Sequence, residues 1–305
     1  MPLAYGFAEY GGPETQQFLD PDFPVPGPGQ LLVAVHAAGV NPADWKVRAG
    51  TRKDTVPVTL PAVLGREVSG VVTAVGDRVD GFAIGDAVFG ATATGFGGYA
   101  EYTLLNAHSA ARKPEPVSFA AAATVPVALG TAFDIVDALA ITDEDTVLVI
   151  GAGGGVGSAA TQLARARGAT VLGVASAGKR DLVEGNGATW IESGDDAADR
   201  VSGAAASGIT AIVDLVGGAT LRAFAAAAPG ARIVSVADPA GAAELGGSGV
   251  ERRRTTEVFA AVAALVADGT VDPHVERTFP LREAGAALAV VEGGHARGKV
   301  VITVR

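Results

Sequence analysis

The sequence predicts an α/β protein of two domains, a doubly wound parallel sheet and a smaller barrel-like β unit. Three observations lead there. From Asp145 onward, apolar strand patterns alternate with helical ones, the signature of a parallel sheet covered on both faces. A glycine-rich loop, Gly151 to Gly157, joins the first of those strands to a helix. The first third instead carries short strands with turns every ~10 residues, as in small all-β barrels. The length of 305 residues also suits two domains, because single cores stop growing near ~250–300 residues.

Along the chain, the proline-dense stretch Pro21 to Pro28 is a loop, and Gln30 to Ala37 alternates as a strand. Glu67 to Val75 and Ala87 to Phe89 follow as strands, set off by Gly76-Asp77 and Gly85-Asp86 turns. Ser118 to Leu139 is alanine-rich and helical in pattern. Thr146 to Ile150 is a continuous apolar run, expected of a strand buried on both faces. Gly157 to Arg167 is a helix stopped by Gly168, and Thr170 to Ala175 is the next strand. Ala211 to Leu215, Arg232 to Val236, His274 to Phe279 and Lys299 to Val304 are further strands. Ala237 to Gly249 is rich in Ala and Gly and is expected to be a mobile loop.

Composition excludes several functions. Half the residues are hydrophobic (49%) and the net charge is −10, which disfavours both disorder and nucleic-acid binding. There is no cysteine, so disulfides, thiolate zinc sites and cysteine nucleophiles are impossible. Four scattered histidines make no HxH or HxxxH pair, and no metal site is expected. Two uncharged stretches of 18 residues, Pro116 to Phe133 and Val147 to Ala164, are broken by proline or by clustered glycine, so no membrane span is expected there. No signal peptide is read at the N-terminus, and the expected location is cytoplasmic.

The glycine loop carries the chemistry. Against a GxGxxG pattern its three positions are Ala152, Gly154 and Gly157. Context makes the match specific: strand, loop, helix and second strand fit in the ~30 residues of a Rossmann dinucleotide unit. Glycine lets the backbone approach a pyrophosphate, and the helix N-terminus offers free N–H groups and partial positive charge. The second strand ends without the carboxylate that would hold a ribose 2′-hydroxyl. Ser176, Lys179 and Arg180 follow it instead, which favours NADP(H).

Seven segments in order then resemble one family: Ala38 to Trp45, Leu64 to Gly70, Gly85 to Gly90, Gly98 to Tyr102, the glycine loop through Ala164, Val213 to Gly218, and His295 to Val301. They resemble the zinc-independent medium-chain dehydrogenase/reductase family, in its quinone oxidoreductase-like branch. The resemblance implies a GroES-like catalytic domain from residues 1–121 and 271–305, with a Rossmann domain at 122–270 between them. Zinc-dependent relatives carry a Cys near Asn41 and a His before the Glu of their GHE motif; this chain has Asn41 and Arg66 there. Without a Lewis acid for an alkoxide, the implied reaction is hydride transfer from NADPH to a quinone or an enone. The rivals are reduction of an enoyl thioester or other alkene on the same scaffold, and a low-turnover NADPH-binding sensor.

The resemblance also implies roles for residues. Asn41 and Thr131 lie by the nicotinamide and the substrate, with Asn41 able to donate to an acceptor oxygen that gains charge. Lys46 stands where many quinone reductases have Tyr and can stabilise an enolate or hydroquinone anion. Gly154, Gly155 and Val156 belong to the cofactor site, with Ser176, Lys179 and Arg180 at the 2′ position and Val216 and Val236 on later strand ends. Structural alternatives stay open. Asn41 can cap a loop, Thr131 can be interior helix, Lys46 can pair with Asp44, and Asp44 with Arg48. Glu67 can support a loop, Lys299 can anchor the C-terminal segment, and Arg252 to Arg254 can be a charged edge strand. Pocket walls are expected from Lys46 to Val56, Ala91 to Phe96 and Ala237 to Gly249. A homodimer is implied, paired through a strand near Val250 to Thr256.

Overall fold

A computed structural model describes residues 1–205 and 207–305. It divides into two compact units, the first from 1–127, 254–267 and 275–305, the second from 128–253 and 268–274.

In the first unit, β1 (Ala4–Phe7), β2 (Gln16–Leu19) and β3 (Gln30–Val40) precede helix α1 (Pro42–Arg48). Strands β4 (Ala62–Val63), β5 (Glu67–Val75), β6 (Ala87–Thr92) and β7 (Tyr102–Arg112) follow. The order β3-β5-β6-β7 is closed by antiparallel pairing of β7 back onto β3, so this part is barrel-like. Sheet closure removes exposed edges. Its interior is filled by Leu31, Val33, Val35, Val68, Val88 and Leu105. The long strand β7 is absent from the sequence expectation, because YTLLNAHSAAR interrupts its apolar alternation with Asn and His.

Helices α2 (Phe119–Ala122) and α3 (Gly130–Ala138) run through a π turn at Val125–Leu129. This 20-residue helix is long and apolar enough to cross a membrane, but 72% of its most apolar window is buried within the protein, as in a core helix.

The second unit alternates β8 (Thr146–Ile150), α4 (Gly155–Ala166), β9 (Thr170–Ala175), α5 (Arg180–Gly185), β10 (Thr189–Glu192), α6 (Ala197–Ala204), β11 (Ala211–Asp214), α7 (Gly218–Ala227), β12 (Arg232–Ser235), α8 (Pro239–Glu244) and β13 (Ser248–Gly249). All pairs are parallel, in the order β10-β9-β8-β11-β12-β13. Numbered within the sheet this is 3-2-1-4-5-6, the Rossmann order, whose ligands sit outside the strand C-termini where the order reverses. Strands β8 and β9 form as expected because they are apolar on both faces and almost wholly buried.

Three expectations are corrected here. Ala237 to Gly249 is ordered structure: Asp238 caps α8 by accepting from Gly241 N, Pro239 starts the helix, and Ser248–Gly249 add a strand. Val250 to Thr255 forms no strand, so the expected dimer-pairing segment is not one. Arg252 and Arg253 instead bind the buried carboxylate of Asp134, and Arg253 also binds Asp137. Finally, the segment Arg254–Ala267, expected in the nucleotide domain, packs in the first unit. Ser109 Oγ donates to Arg254 O, Thr256 Oγ1 donates to Ala107 O, and Phe259 of α9 (Thr256–Ala267) meets Phe89.

The chain closes with β14 (Val275–Pro280), α10 (Ala284–Glu292) and β15 (Lys299–Thr303), and β15 pairs antiparallel with β3.

Candidate functional site

In the second unit the turn from β8 into α4 is made by Gly151, whose φ is +90°, a region that favours glycine. Ala152, next in line, is fully buried and packs on β9, where a Cβ on Gly173 would come 2.9 Å from the Ala152 Cβ. Gly157 is demanded by close packing, since a Cβ there would sit 2.2 Å from Gly151 O. Gly154 has no such constraint; a Cβ there would meet its nearest atom at 3.6 Å. It is the N-cap, and the first turn of α4 beyond it presents N–H groups without helical acceptors.

This loop walls a cavity of about 430 Å³ that also touches Ser176, Lys179, Asp195 and Val216. The Lys179 chain lies across the loop: a Cβ on Gly153 would meet Lys179 Cδ at 2.4 Å. Val216 is 54% exposed on a loop held by Asp214, whose Oδ1 accepts from Val216 N and Gly217 N. The room left by glycine, the helix N-terminus and a cation suit a dinucleotide.

Of the expected cofactor residues, Gly154, Ser176, Lys179 and Val216 line this cavity. Gly155 and Val156 occupy the first turn of α4, outside the lining. Val236 follows β12 and is likewise outside it, as is Arg180, which pairs with Glu184 and lies over the Trp190 ring. Asp195, missed in the sequence, adds a carboxylate to the lining of the same cavity. Its signal was hidden because it follows β10, two strands from the glycine loop in sequence. Thr131 is nearly buried in α3, where its hydroxyl accepts from Arg252.

In the first unit, α1 begins with a capping arrangement: Asn41 is the N-cap, Pro42 follows, and Asp44 Oδ2 accepts from Asn41 N at 2.8 Å. Tyr99 OH donates to the same Asp44 oxygen at 2.8 Å. Asp44 Oδ1 is buried without a hydrogen-bond partner among the described residues. Burial pushes the Asp44 carboxyl up to about 6, against the opposing pull of the Tyr99 and Asn41 hydrogen bonds. Tyr99 is raised well above its ordinary value, by burial first and then by Asp44.

Beside it lies a buried polar network. Lys299 Nζ donates to Glu67 Oε1 at 2.9 Å, to Asn41 Oδ1 at 2.8 Å and to Val40 O at 3.0 Å. Asn41 Nδ2 donates to Glu67 Oε1 at 2.8 Å and to Gly39 O at 3.4 Å. Glu67 Oε2 accepts from Val127 N at 2.7 Å. Gly39 leaves the needed space, as a Cβ there would fall 2.2 Å from Glu67 Oε1.

The expectation that Asn41 donates to an acceptor oxygen is therefore corrected. Its amide is engaged on both sides by Glu67, Gly39 and Lys299, so it positions the network rather than offering a hydrogen. The expected Asp44 pairings are also absent. Arg48 binds Glu292 of α10 and Gly11 O, and Lys46 lies over the Trp45 ring. Lys46 is held below its ordinary value by burial and by Arg52. Glu67 and Lys299, read in the sequence as separate supports, are one ion pair.

Residues 27–115 match the alcohol dehydrogenase GroES-like domain family, and residues 187–302 match the family described as zinc-binding dehydrogenase. The chain is 42% identical to the human quinone oxidoreductase over 171 residues, covering 55% of this chain and 50% of that protein. It thus spans about half the length of the curated quinone oxidoreductases it matches. It is also 36% identical over 299 residues to the spectinabilin polyketide synthase system protein NorB of Streptomyces orinoci, covering 90% of this chain and 13% of that protein. Among solved structures, the quinone oxidoreductase from Coxiella burnetii superposes with a TM-score of 0.89 at 30% identity, covering 100% of this chain and 99% of that one. The mycobacterial protein Rv1454c complexed with NADPH superposes with a TM-score of 0.86 at 29% identity, each chain covered completely (100%).

Proposed function

The chain belongs to the medium-chain dehydrogenase/reductase family, and on that premise we propose that it is an NADPH-dependent, metal-free oxidoreductase whose hydride acceptor is a quinone or an enone. The carrying observation is the glycine-loop cavity with Lys179 laid across it, which suits a dinucleotide bearing a 2′-phosphate. The NADPH complex of Rv1454c supports the same reading.

NADPH, when bound, would supply a hydride, which carries both electrons of the reduction. Gly154 admits the pyrophosphate, and the first turn of α4 donates to it. Ser176 and Lys179 hold the 2′-phosphate. Lys46 would supply a cation to negative charge on the acceptor, and Thr131 would contact the cofactor. The acceptor gains one hydride and one proton from the medium, giving a hydroquinone or a saturated ketone. Metal-free chemistry is compatible with the absence of cysteine and with the lack, among the described residues, of any cluster of three His, Asp or Glu suited to a metal ion. The proposal includes a cytoplasmic homodimer, which light scattering tests against the 30.3 kDa of one chain.

A second reading, reduction of an enoyl thioester, is favoured by the match to NorB across 90% of this chain. Steady-state NADPH oxidation with quinones, enones and acyl thioesters separates the two. No oxidation with any of them sinks the proposal. For the cofactor, Lys179→Ala should weaken NADPH about ten- to hundredfold and leave NADH nearly unchanged. Asp195→Asn, by removing a carboxylate from the lining of the same cavity, should strengthen NADPH relative to NADH. Equal changes for both cofactors would place the 2′-phosphate elsewhere.

A further inference from the structure

The backbone of Arg66 is closely held, although its guanidinium makes no ion pair among the described residues. It precedes β5, and Thr92 N donates to its carbonyl at 3.1 Å. Gly65 before it has φ +90°, and a Cβ there would strike the Tyr99 ring at 2.4 Å, so the backbone has no latitude. The half-buried guanidinium lies over the Phe96 ring, 5.4 Å from its centroid. Among the described residues no carboxylate reaches it within ion-pair distance, and it makes no hydrogen bond to the chain. The cause is not scarcity of acids, since the chain has 33 Asp and Glu against 23 Lys and Arg. The nearby Glu67 is taken by Lys299, Asn41 and Val127.

Other cations gather around it. Arg254 and Arg52 both act on Arg66, and Arg52 acts on Lys46. Burial, and then Arg254, lower its proton affinity below the ordinary arginine value, while Asp44 and Glu67 oppose them. In a protein of net charge −10, crowding like charges into one place costs folding energy that a bound anion would offset. Lys46 and Arg52 come from one expected pocket wall, Lys46 to Val56, and Phe96 from another, Ala91 to Phe96.

We propose that Arg66 selects an acceptor carrying its own carboxylate, through a bidentate guanidinium–carboxylate contact made while the Phe96 ring holds the guanidinium plane. This rests on the reading of the protein as a hydride-transfer enzyme and names its acceptor class: enones or quinones that bear a carboxylate. Arginine's planar fork matches a carboxylate with two parallel hydrogen bonds, whereas lysine offers only a point charge. The Phe96 ring, 5.4 Å from the guanidinium carbon, offers a cation–π contact that takes up none of the in-plane N–H donors, which a carboxylate could then accept from. A neutral quinone would leave that edge bare.

The test compares a quinone carboxylic acid with its methyl ester as acceptors in NADPH oxidation, using wild type, Arg66→Gln and Arg66→Lys. Calorimetric titration with benzoate, a carboxylate that cannot be reduced, gives a readout independent of turnover. The wild type should prefer the acid by about ten- to hundredfold in kcat/KM. That ratio should fall toward one in Arg66→Gln and to an intermediate value in Arg66→Lys, with benzoate affinity falling in parallel. A wild-type ratio near one, or the same ratio in Arg66→Gln, overturns the proposal. It would then mean that Arg66 serves only as a distant counter-charge to Asp44. Should neither acceptor turn over, the enzyme reading fails while benzoate still decides. Binding lost in Arg66→Gln upholds the carboxylate site, and equal binding rejects it. If Arg66→Gln does not fold by circular dichroism, Arg66→Lys carries the comparison, because it keeps the charge and loses the fork.

Discussion

Asp44 is a capping residue turned into a proton holder. Any Asp three residues after an N-cap can accept from the cap N–H, and such a pairing is readable from Asn41-Pro42-Ala43-Asp44. Its burial under Tyr99 is not readable, because Tyr99 arrives from a loop 55 residues later. The burial raises the carboxyl to about 6, above the value of an unfolded aspartate, so the native state binds this proton more tightly. The stability it contributes is present in full below the unfolded value and is lost as pH rises through about 6. Against Asp44→Asn, wild-type stability should therefore fall by on the order of 3 kcal/mol between about pH 4 and pH 7. Urea unfolding of both proteins across that range measures the difference, in which carboxylates common to both cancel. A difference that stays flat with pH would show that Asp44 remains ionised. Asn41 teaches the same lesson from the other side: its place before a helix is legible, but the groups that occupy both ends of its amide are residues 67 and 299.

The strand–loop–helix formed by β8, the glycine loop and α4 is the element most fully legible in the sequence. Its strand is buried on both faces and its helix begins where the glycines end, so local pattern and tertiary environment agree. What pattern alone obscured was the division of labour among the glycines. Gly151 makes the turn, Gly157 permits the packing, and Gly154 leaves room in the cavity. Two substitutions separate these roles. In Gly157→Ala the new methyl meets backbone, at 2.2 Å from Gly151 O and 2.8 Å from Ala152 Cα. It should destabilise the protein by about 1–3 kcal/mol and lower NADPH affinity. Gly154→Ala meets nothing closer than 3.6 Å and has an ordinary φ of −94°. It should leave the unfolding midpoint nearly unchanged and still weaken NADPH, because the methyl enters the cavity. Equal stability losses in the two would contradict this assignment. The weakly patterned elements behaved differently. Strand β7 was invisible because its partners β3 and β6 supply the reason for its conformation, and β-propensity depends on such neighbours. Helix α8 was hidden by an Ala/Gly composition that only its Asp238 cap resolves.

At the scale of the whole molecule, Lys299 ties the end of the chain to its beginning. It sits on β15, which pairs with β3, and its ammonium is buried with Glu67 at the head of β5. Buried pairs of this kind are weak sources of stability in themselves, but removing one partner strands the other charge. Lys299→Met and Glu67→Gln should each cost about 3–5 kcal/mol, and the double variant should cost less than the sum of the two. A double-mutant cycle by urea unfolding measures that coupling; strictly additive losses would mean the two residues act independently. No local signal announces the pair, since 232 residues separate its members. The sequence by itself determined the class of the fold, the parallel sheet and its dinucleotide loop. Those follow from apolar periodicity and from glycines whose need is set within a few residues. It also determined, through the absence of cysteine, that thiolate metal sites are closed to the chain. Only the tertiary structure decided that Asn41 is engaged, that Asp195 lines the same cavity as Lys179, that Arg252 and Arg253 bind Asp134 rather than form an edge, and that Arg66 lies over Phe96 with no ion pair among the described residues. The physical reason is common to all four. Hydrogen bonds and ion pairs between distant residues depend on how the backbone brings them together, and nothing in the local pattern of either partner carries that information.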